Sequence, residues 1–275
     1  MFKRAFRIFA ILPVILSFNA CGHGNKSSEE TNSGAARPAV KPGEMVLVPA
    51  GEFIFGTNDK ESLAYPEQRV YLPAFWIDKY EVTNSQFLDF SIKNNYTGEG
   101  AKEGRDWRLF FTPDKGLFPV VYITWNDADA YCKSVGKRLP TEEEWEKAAR
   151  GTDGRGYPWG NEWREKSANV YESGPSKPVA VGQFSNDVSP YGAYDMLGNV
   201  QEWTGSWYVT YKGNPKKDPH SGQKFRAVRG LSARYKGKLA HLWDRSAWVP
   251  SALYDFGCRC AKDATPEEAA KAAAK

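Results

Sequence analysis

The chain has 275 residues, 37 Lys plus Arg against 33 Asp plus Glu, 3 His and 4 Cys. A formal charge of +4 makes no demand for a nucleic-acid partner, and His23, His220 and His241 with four cysteines leave little scope for a multi-histidine iron or zinc centre. Aromatic residues reach 14% beside 25 Gly and 17 Pro, which suggests a loop-rich fold pinned by flat rings and excludes low-complexity and disordered classes for the bulk of the chain.

The first segment reads Met1-Phe2-Lys3-Arg4-Ala5-Phe6-Arg7, then an apolar run from Ile8 to Phe18, then Asn19-Ala20-Cys21. Basic residues, a short apolar run and a small residue before the break predict a secretory leader over 1–20. The run is too short to span a bilayer as a mature helix. Its end resembles the bacterial lipobox, with Phe18 where that motif usually has Leu. That resemblance makes Cys21 the lipidation site and membrane attachment a matter of acyl chains; the alternative is a soluble secreted protein with an incidental Cys21. Gly22 rather than Asp after the lipidated residue implies the outer membrane in a cell with two membranes. Without Lys3, Arg4 and Arg7 the formal charge falls from +4 to +1, so basic charge would not hold the mature protein to lipid.

Residues 21–43 contain no aromatic residue and abundant Ser, Gly, Asn and Pro, the composition of a flexible tether. Residues 264–275 read as an unanchored Ala/Glu/Lys tail, with Glu267 and Lys271 at helical spacing. The folded body is expected over 44–263.

Within it, 45–56 reads as two short strands around a Pro-Ala-Gly turn. Phe75 to Val82 reads as a strand leading into a helix whose N-cap is Thr83. A second helix begins at Thr124, with Asp127 three residues on, and stops at Gly136. A third begins at Thr141, where Glu144 completes a capping box, and ends at Gly151. Its Glu143/Lys147 and Glu146/Arg150 pairs are spaced four apart. Strands and helices do not alternate as parallel units would, so the class is α+β with much irregular loop.

Further motifs come in order: Val46-Leu47-Val48-Pro49-Ala50-Gly51-Glu52-Phe53, Asp78-Lys79-Tyr80-Glu81-Val82-Thr83-Asn84, Gly136-Lys137-Arg138-Leu139-Pro140-Thr141-Glu142, Tyr157-Pro158-Trp159-Gly160-Asn161, Gly198-Asn199-Val200-Gln201-Glu202-Trp203, Arg229-Gly230 and Gly257-Cys258-Arg259-Cys260-Ala261. This set resembles the sulfatase-modifying factor family, the domain of formylglycine-generating enzymes, over essentially all of 44–263. The resemblance implies a variant of the C-type lectin fold, α+β and poor in regular structure.

Members of that family oxidise a cysteine in a target sulfatase with copper on two thiolates, soft donors for soft Cu(I). The family's pair lies between the stretch matched by Arg229-Gly230-Leu231-Ser232 and the terminal stretch matched by Gly257. Here no cysteine occurs anywhere from Lys133 to Gly257. Copper is therefore not expected, no catalytic residue is assigned, and a divergent oxidase is the alternative reading. The resemblance also implies a disulfide between Cys132 and Cys260, leaving Cys258 as an odd thiol. It further implies a calcium site made by the side chains of Asp195 and Glu202 and the carbonyls of Gly198 and Val200; the competing reading gives Asp195 an Asx turn and leaves Glu202 solvated. The segment corresponding to the family's substrate-facing surface carries Arg234, Tyr235, His241, Trp243, Arg245, Trp248 and Tyr254, expected here as a ligand-binding face. The functional expectation is an envelope lipoprotein that binds a protein, peptide or glycan on that face. A scaffold role in a surface or motility machine is a further alternative.

Overall fold

The computed structural model describes residues 39–273, so the expected leader, the expected lipidation site Cys21 and most of the expected tether lie outside the described residues. In chain order the strands are β1 (Met45–Val48), β2 (Gly51–Phe55), β3 (Gln68–Leu72), β4 (Phe75–Asp78), β5 (Gln201–Trp207), β6 (Arg226–Arg229), β7 (Ser246–Trp248), β8 (Phe256–Gly257) and β9 (Ala261–Asp263). The α-helices are α1 (Asn84–Asn94), α2 (Glu99–Lys102), α3 (Trp125–Ser134), α4 (Glu142–Arg150) and α5 (Pro266–Ala273).

The two strands expected around the Pro-Ala-Gly turn exist but do not pair with each other. β1 pairs antiparallel with β4, which pairs with β9, whereas β2 forms a separate hairpin with β3. Gly51 sits at φ +139°, a conformation open mainly to glycine, and the chain changes sheets there. Packing explains the split: Val48 joins Phe75 and Ile77 in one buried cluster, while Phe53 and Phe55 join Ala64 and Tyr211 in another. The largest sheet runs β7-β6-β5-β8, with β8 parallel to β5 and the other pairs antiparallel.

All three expected helix starts are made by capping boxes. Thr83 with Gln86, Thr124 with Asp127 and Thr141 with Glu144 each satisfy orphan amides reciprocally. Of the two pairs spaced four apart on helix α4, only Glu146/Arg150 forms. The charges of the helix are not a solvated face: Glu142, Glu144, Glu146, Lys147 and Arg150 are all buried. Glu146 pairs with Arg150 and with Arg229, Glu142 pairs with Arg245 at 2.6 Å, and Glu144 pairs with Arg138 at 2.7 Å. Lys147 does not meet Glu143; its ammonium donates to the carbonyls of Pro49 and Gly51 at 2.7 and 2.8 Å, tying α4 to the β1–β2 turn.

One core cluster gathers Phe87, Trp107, Tyr131, Trp203 and Phe256 around α1, α3 and β5; a second holds Trp145, Tyr157, Leu197 and Leu242. Cys132 on α3 and Cys260 before β9 form a disulfide with Cα atoms 5.6 Å apart, spanning 128 residues of chain. Between α4 and β5 the chain carries no helix and no multi-residue strand, which makes the architecture α+β with extensive loop. The Ala/Glu/Lys tail, with Glu267 and Lys271 at helical spacing, carries α5, begun by Thr265, whose hydroxyl accepts the Glu268 amide while Glu268 accepts the Thr265 amide. Among the described residues no helix is long and apolar enough to cross a membrane.

Candidate functional site

Four stretches distant in sequence meet around a cavity of about 580 Å³. Phe110, Lys115, Phe118, Pro119, Val121 and Tyr122 form one wall; Ser176, Lys177, Pro178 and Val179 form another; Asn199, Ser232, Ala233 and Arg234, with Tyr254 and Asp255, complete it beside Asn84. Backbone hydrogen bonds hold the walls together. The Val181 amide donates to the Leu117 carbonyl at 3.0 Å, the Tyr122 amide to Leu253 at 3.1 Å, and the Ala233 amide to Asn199 at 3.1 Å.

The mouth is an arch of rings. Phe110 stacks on Tyr122 with centroids 4.2 Å apart and planes 8° from parallel, and Tyr122 faces Tyr254 at 6.4 Å. The Arg234 guanidinium lies over the Tyr254 ring at 4.1 Å, a cation–π contact that leaves its N–H groups directed around the ring. Phe110 and Tyr254 are each 40% exposed.

Asn199 braces the floor. Its side-chain carbonyl accepts from the Val179 amide and the Asn169 amide group at 2.9 Å each, and its own amide group donates to Glu81. Tyr122, Ser176 and Asn199, all in the cavity walls, hold φ values of 58°, 55° and 56°, left-handed positions costing about 1 kcal/mol or more for Tyr and Ser. Such strain concentrated around one cavity indicates that its shape is over-determined by the surrounding structure. Asn84 donates to the Lys115 carbonyl at 3.1 Å, while its Oδ1 is buried without a hydrogen-bond partner. The Ser232 hydroxyl is fully buried and donates to Asp255 Oδ2 at 2.7 Å; burial raises the Asp255 carboxyl above its usual range.

The expected ligand face is divided by the fold. Arg234 and Tyr254 line the cavity, and Tyr235, 40% exposed, follows on the same turn. His241 and Trp243 belong elsewhere: they stack on each other at 4.2 Å, with Tyr157 against His241 and the Arg150 guanidinium over Trp243 at 4.9 Å. Arg245 is corrected from ligand contact to core. It is buried, paired with Glu142 and sandwiched by the rings of Tyr208 and Tyr211 at 4.2 and 4.1 Å. Trp248 packs edge-on against Phe256 at 5.4 Å as part of the core periphery. Phe110, Lys115, Tyr122 and Lys177 were not anticipated. The available signal was the Phe110/Phe111 and Phe118 run just before Pro119-Val120, but only the fold brings it opposite 232–234.

The thiols are placed against copper chemistry. Cys132 and Cys260 are bonded to each other, and Cys258 is buried in the core, its thiol pushed up by desolvation. The described residues thus offer no pair of free thiols, and none of the cavity walls carries a cysteine. The calcium set also fits poorly. Both Glu202 oxygens accept from the Arg259 guanidinium at 2.7 Å, and Oε2 also accepts from Trp145 Nε1 at 2.8 Å. Asp195 accepts the Gly182 amide at 2.6 Å, and burial pushes its carboxyl up to about 7. An ion taken by Glu202 would sit against a fixed guanidinium, and among the described residues no three His, Cys, Asp or Glu side chains form a metal-holding group. Two carboxylates so engaged do not make the six- to eight-oxygen cage that calcium requires. Of the expected donors, Glu202 is paired with Arg259 and Asp195 accepts a loop amide.

Residues 31–264 match the family described as the sulfatase-modifying factor enzyme 1-like domain. The formylglycine-generating enzyme of Bos taurus is 30% identical, the match covering 88% of this chain and 81% of the bovine one. The inactive C-alpha-formylglycine-generating enzyme 2 of Mus musculus is 31% identical, covering 80% and 86%. Among solved structures, PvdO from Pseudomonas aeruginosa gives a TM-score of 0.64 at 24% identity over 82% of this chain and 100% of its own, and Treponema denticola variable protein 1 gives 0.63 at 22% over 80% and 95%. Those two share the fold, which is that of the formylglycine-generating enzymes. The chain belongs to the sulfatase-modifying factor family. An enzyme and a protein named inactive stand at nearly equal identity, so the distinction between them has to come from this chain's own residues.

Proposed function

We propose that this protein is a recognition module on the formylglycine-generating-enzyme scaffold, without oxidase activity, that binds a protein or peptide segment in the ring-arched cavity. The observation that carries the reading is the cavity itself: walls of aromatic rings and cations, held in strained backbone positions, with no thiol among them. Large rigid rings at a concave site favour binding at low entropic cost. The Ser232 hydroxyl is no substitute nucleophile, because it is buried and bonded to a carboxyl with no histidine in the walls. The leader-like segment and Cys21 support export and lipid anchoring in the bacterial envelope.

Crosslinking in intact envelopes followed by affinity capture tests this reading. Partners captured by the wild type are expected to be lost with Tyr254→Ala/Tyr122→Ala, while thermal unfolding confirms that the variant is folded. Equal capture by both would remove the cavity from the account, and capture of oligosaccharide instead of protein would move the ligand to the glycan class.

A further inference from the structure

Resting on the recognition reading, the charge of the cavity walls narrows the ligand. Lys115, Lys177 and Arg234 all face the cavity, against one lining carboxylate, Asp255. None of the three cations forms an ion pair within 4.0 Å among the described residues. Asp255 is buried, accepts the Ser232 hydroxyl and also feels the Arg234 charge, which leaves one carboxylate against three cations. Arg234 is exposed, and its contact with the Tyr254 face leaves guanidinium N–H groups available at the ring edge. The same opening therefore presents unpaired donors of positive charge within a shell of apolar rings.

We infer that the cavity selects an extended peptide segment in which an Asp or Glu lies within two residues of an aromatic or aliphatic side chain: the apolar group enters between Tyr122 and Tyr254, and the carboxylate meets Arg234 and Lys177. Charge complementarity across a part-buried mouth gives both specificity and faster encounter, and both weaken with salt. This is opposite in sign to an arginine-bearing target, which the three cations repel.

The test is selection of random 12-residue peptides displayed on phage, panned against the full-length chain in detergent as wild type, Lys177→Gln/Arg234→Gln and Tyr254→Ala. All substituted side chains are exposed, so circular dichroism and thermal unfolding are expected to match the wild type. Enrichment of peptides pairing an acid with an apolar residue is expected, with binding weakened about tenfold or more by the charge variant, the size of one or two lost charge-assisted hydrogen bonds. If the enriched peptides are uncharged or basic, and bind the charge variant as well as the wild type yet fail on Tyr254→Ala, the charge inference is overturned and the recognition site stands. If Tyr254→Ala enriches the same peptides with the same affinity, the recognition reading falls with it.

Discussion

Asp195 is held by a left-handed backbone (φ 57°) in an interior where Glu81 and Asp187 are also buried and Arg259 is the cation facing them. Burial is the main reason its carboxyl titrates near 7 instead of 3.8, and Glu81 and Asp187 are raised in the same direction for the same reason. Because the folded pKa lies above the unfolded one, the folded state keeps the proton between about pH 4 and 7 while the unfolded state releases it. Stability should therefore fall as pH rises through that window, with the penalty complete above it. Urea unfolding between pH 4 and 7 is expected to show a steeper decline for wild type than for Asp195→Asn. Identical slopes would show that Asp195 does not titrate there. At this scale the residue types were legible and their surroundings were not. An Arg and a Trp such as Arg245 and Trp248 have the composition of binding anchors, and nothing local distinguishes them from Arg234, which lines the cavity. What separates Arg245 is the company of Glu142, Tyr208 and Tyr211, brought from over a hundred and from several tens of positions away, and what separates Trp248 is its packing on Phe256.

Among the elements, helix α4 ties the domain together through charge as much as through apolar contact. Glu146 lies at its centre, accepting from Arg150 and Arg229, and also accepting the Gly56 amide at 2.7 Å. Removing one partner of a fully buried pair leaves uncompensated charge, which typically costs about 3–5 kcal/mol, whereas an exposed helical pair is worth about 0.5 kcal/mol. Glu146→Ala is thus expected to lower stability by several kcal/mol in chemical denaturation, and a loss below about 1 kcal/mol would contradict the burial of the network. Helix starts were fully legible, because a capping box is a local device in which all the participating atoms lie within four residues. Strand partners were not. The 45–56 segment carries two strands as its pattern predicts, but which sheet each joins depends on Phe75 and Ile77 for one and on Tyr211 for the other. The spacing of Glu146 and Arg150 foretold their pairing without telling that it is buried.

Over the whole molecule, the ordered motifs carried the family, the α+β class and the Cys132–Cys260 bond, since each motif keeps its own local chemistry wherever the loops between them change. The cavity was legible only in part: its walls come from residues 84–122, 176–179, 199 and 232–255, and the sequence pointed to the last alone. The absence of cysteine between Lys133 and Gly257 is independent of geometry and is read directly from the sequence. The structure adds that Cys132, Cys258 and Cys260 are withdrawn into a disulfide and the core. The most direct test of the proposal that this scaffold lacks oxidase activity is to incubate the purified full-length chain with Cu(I), oxygen and a Cys-x-Pro-x-Arg peptide, and follow the peptide's cysteine by mass spectrometry. The peptide is expected to return with its thiol unconverted, whereas copper-dependent formation of formylglycine at that cysteine would contradict the account.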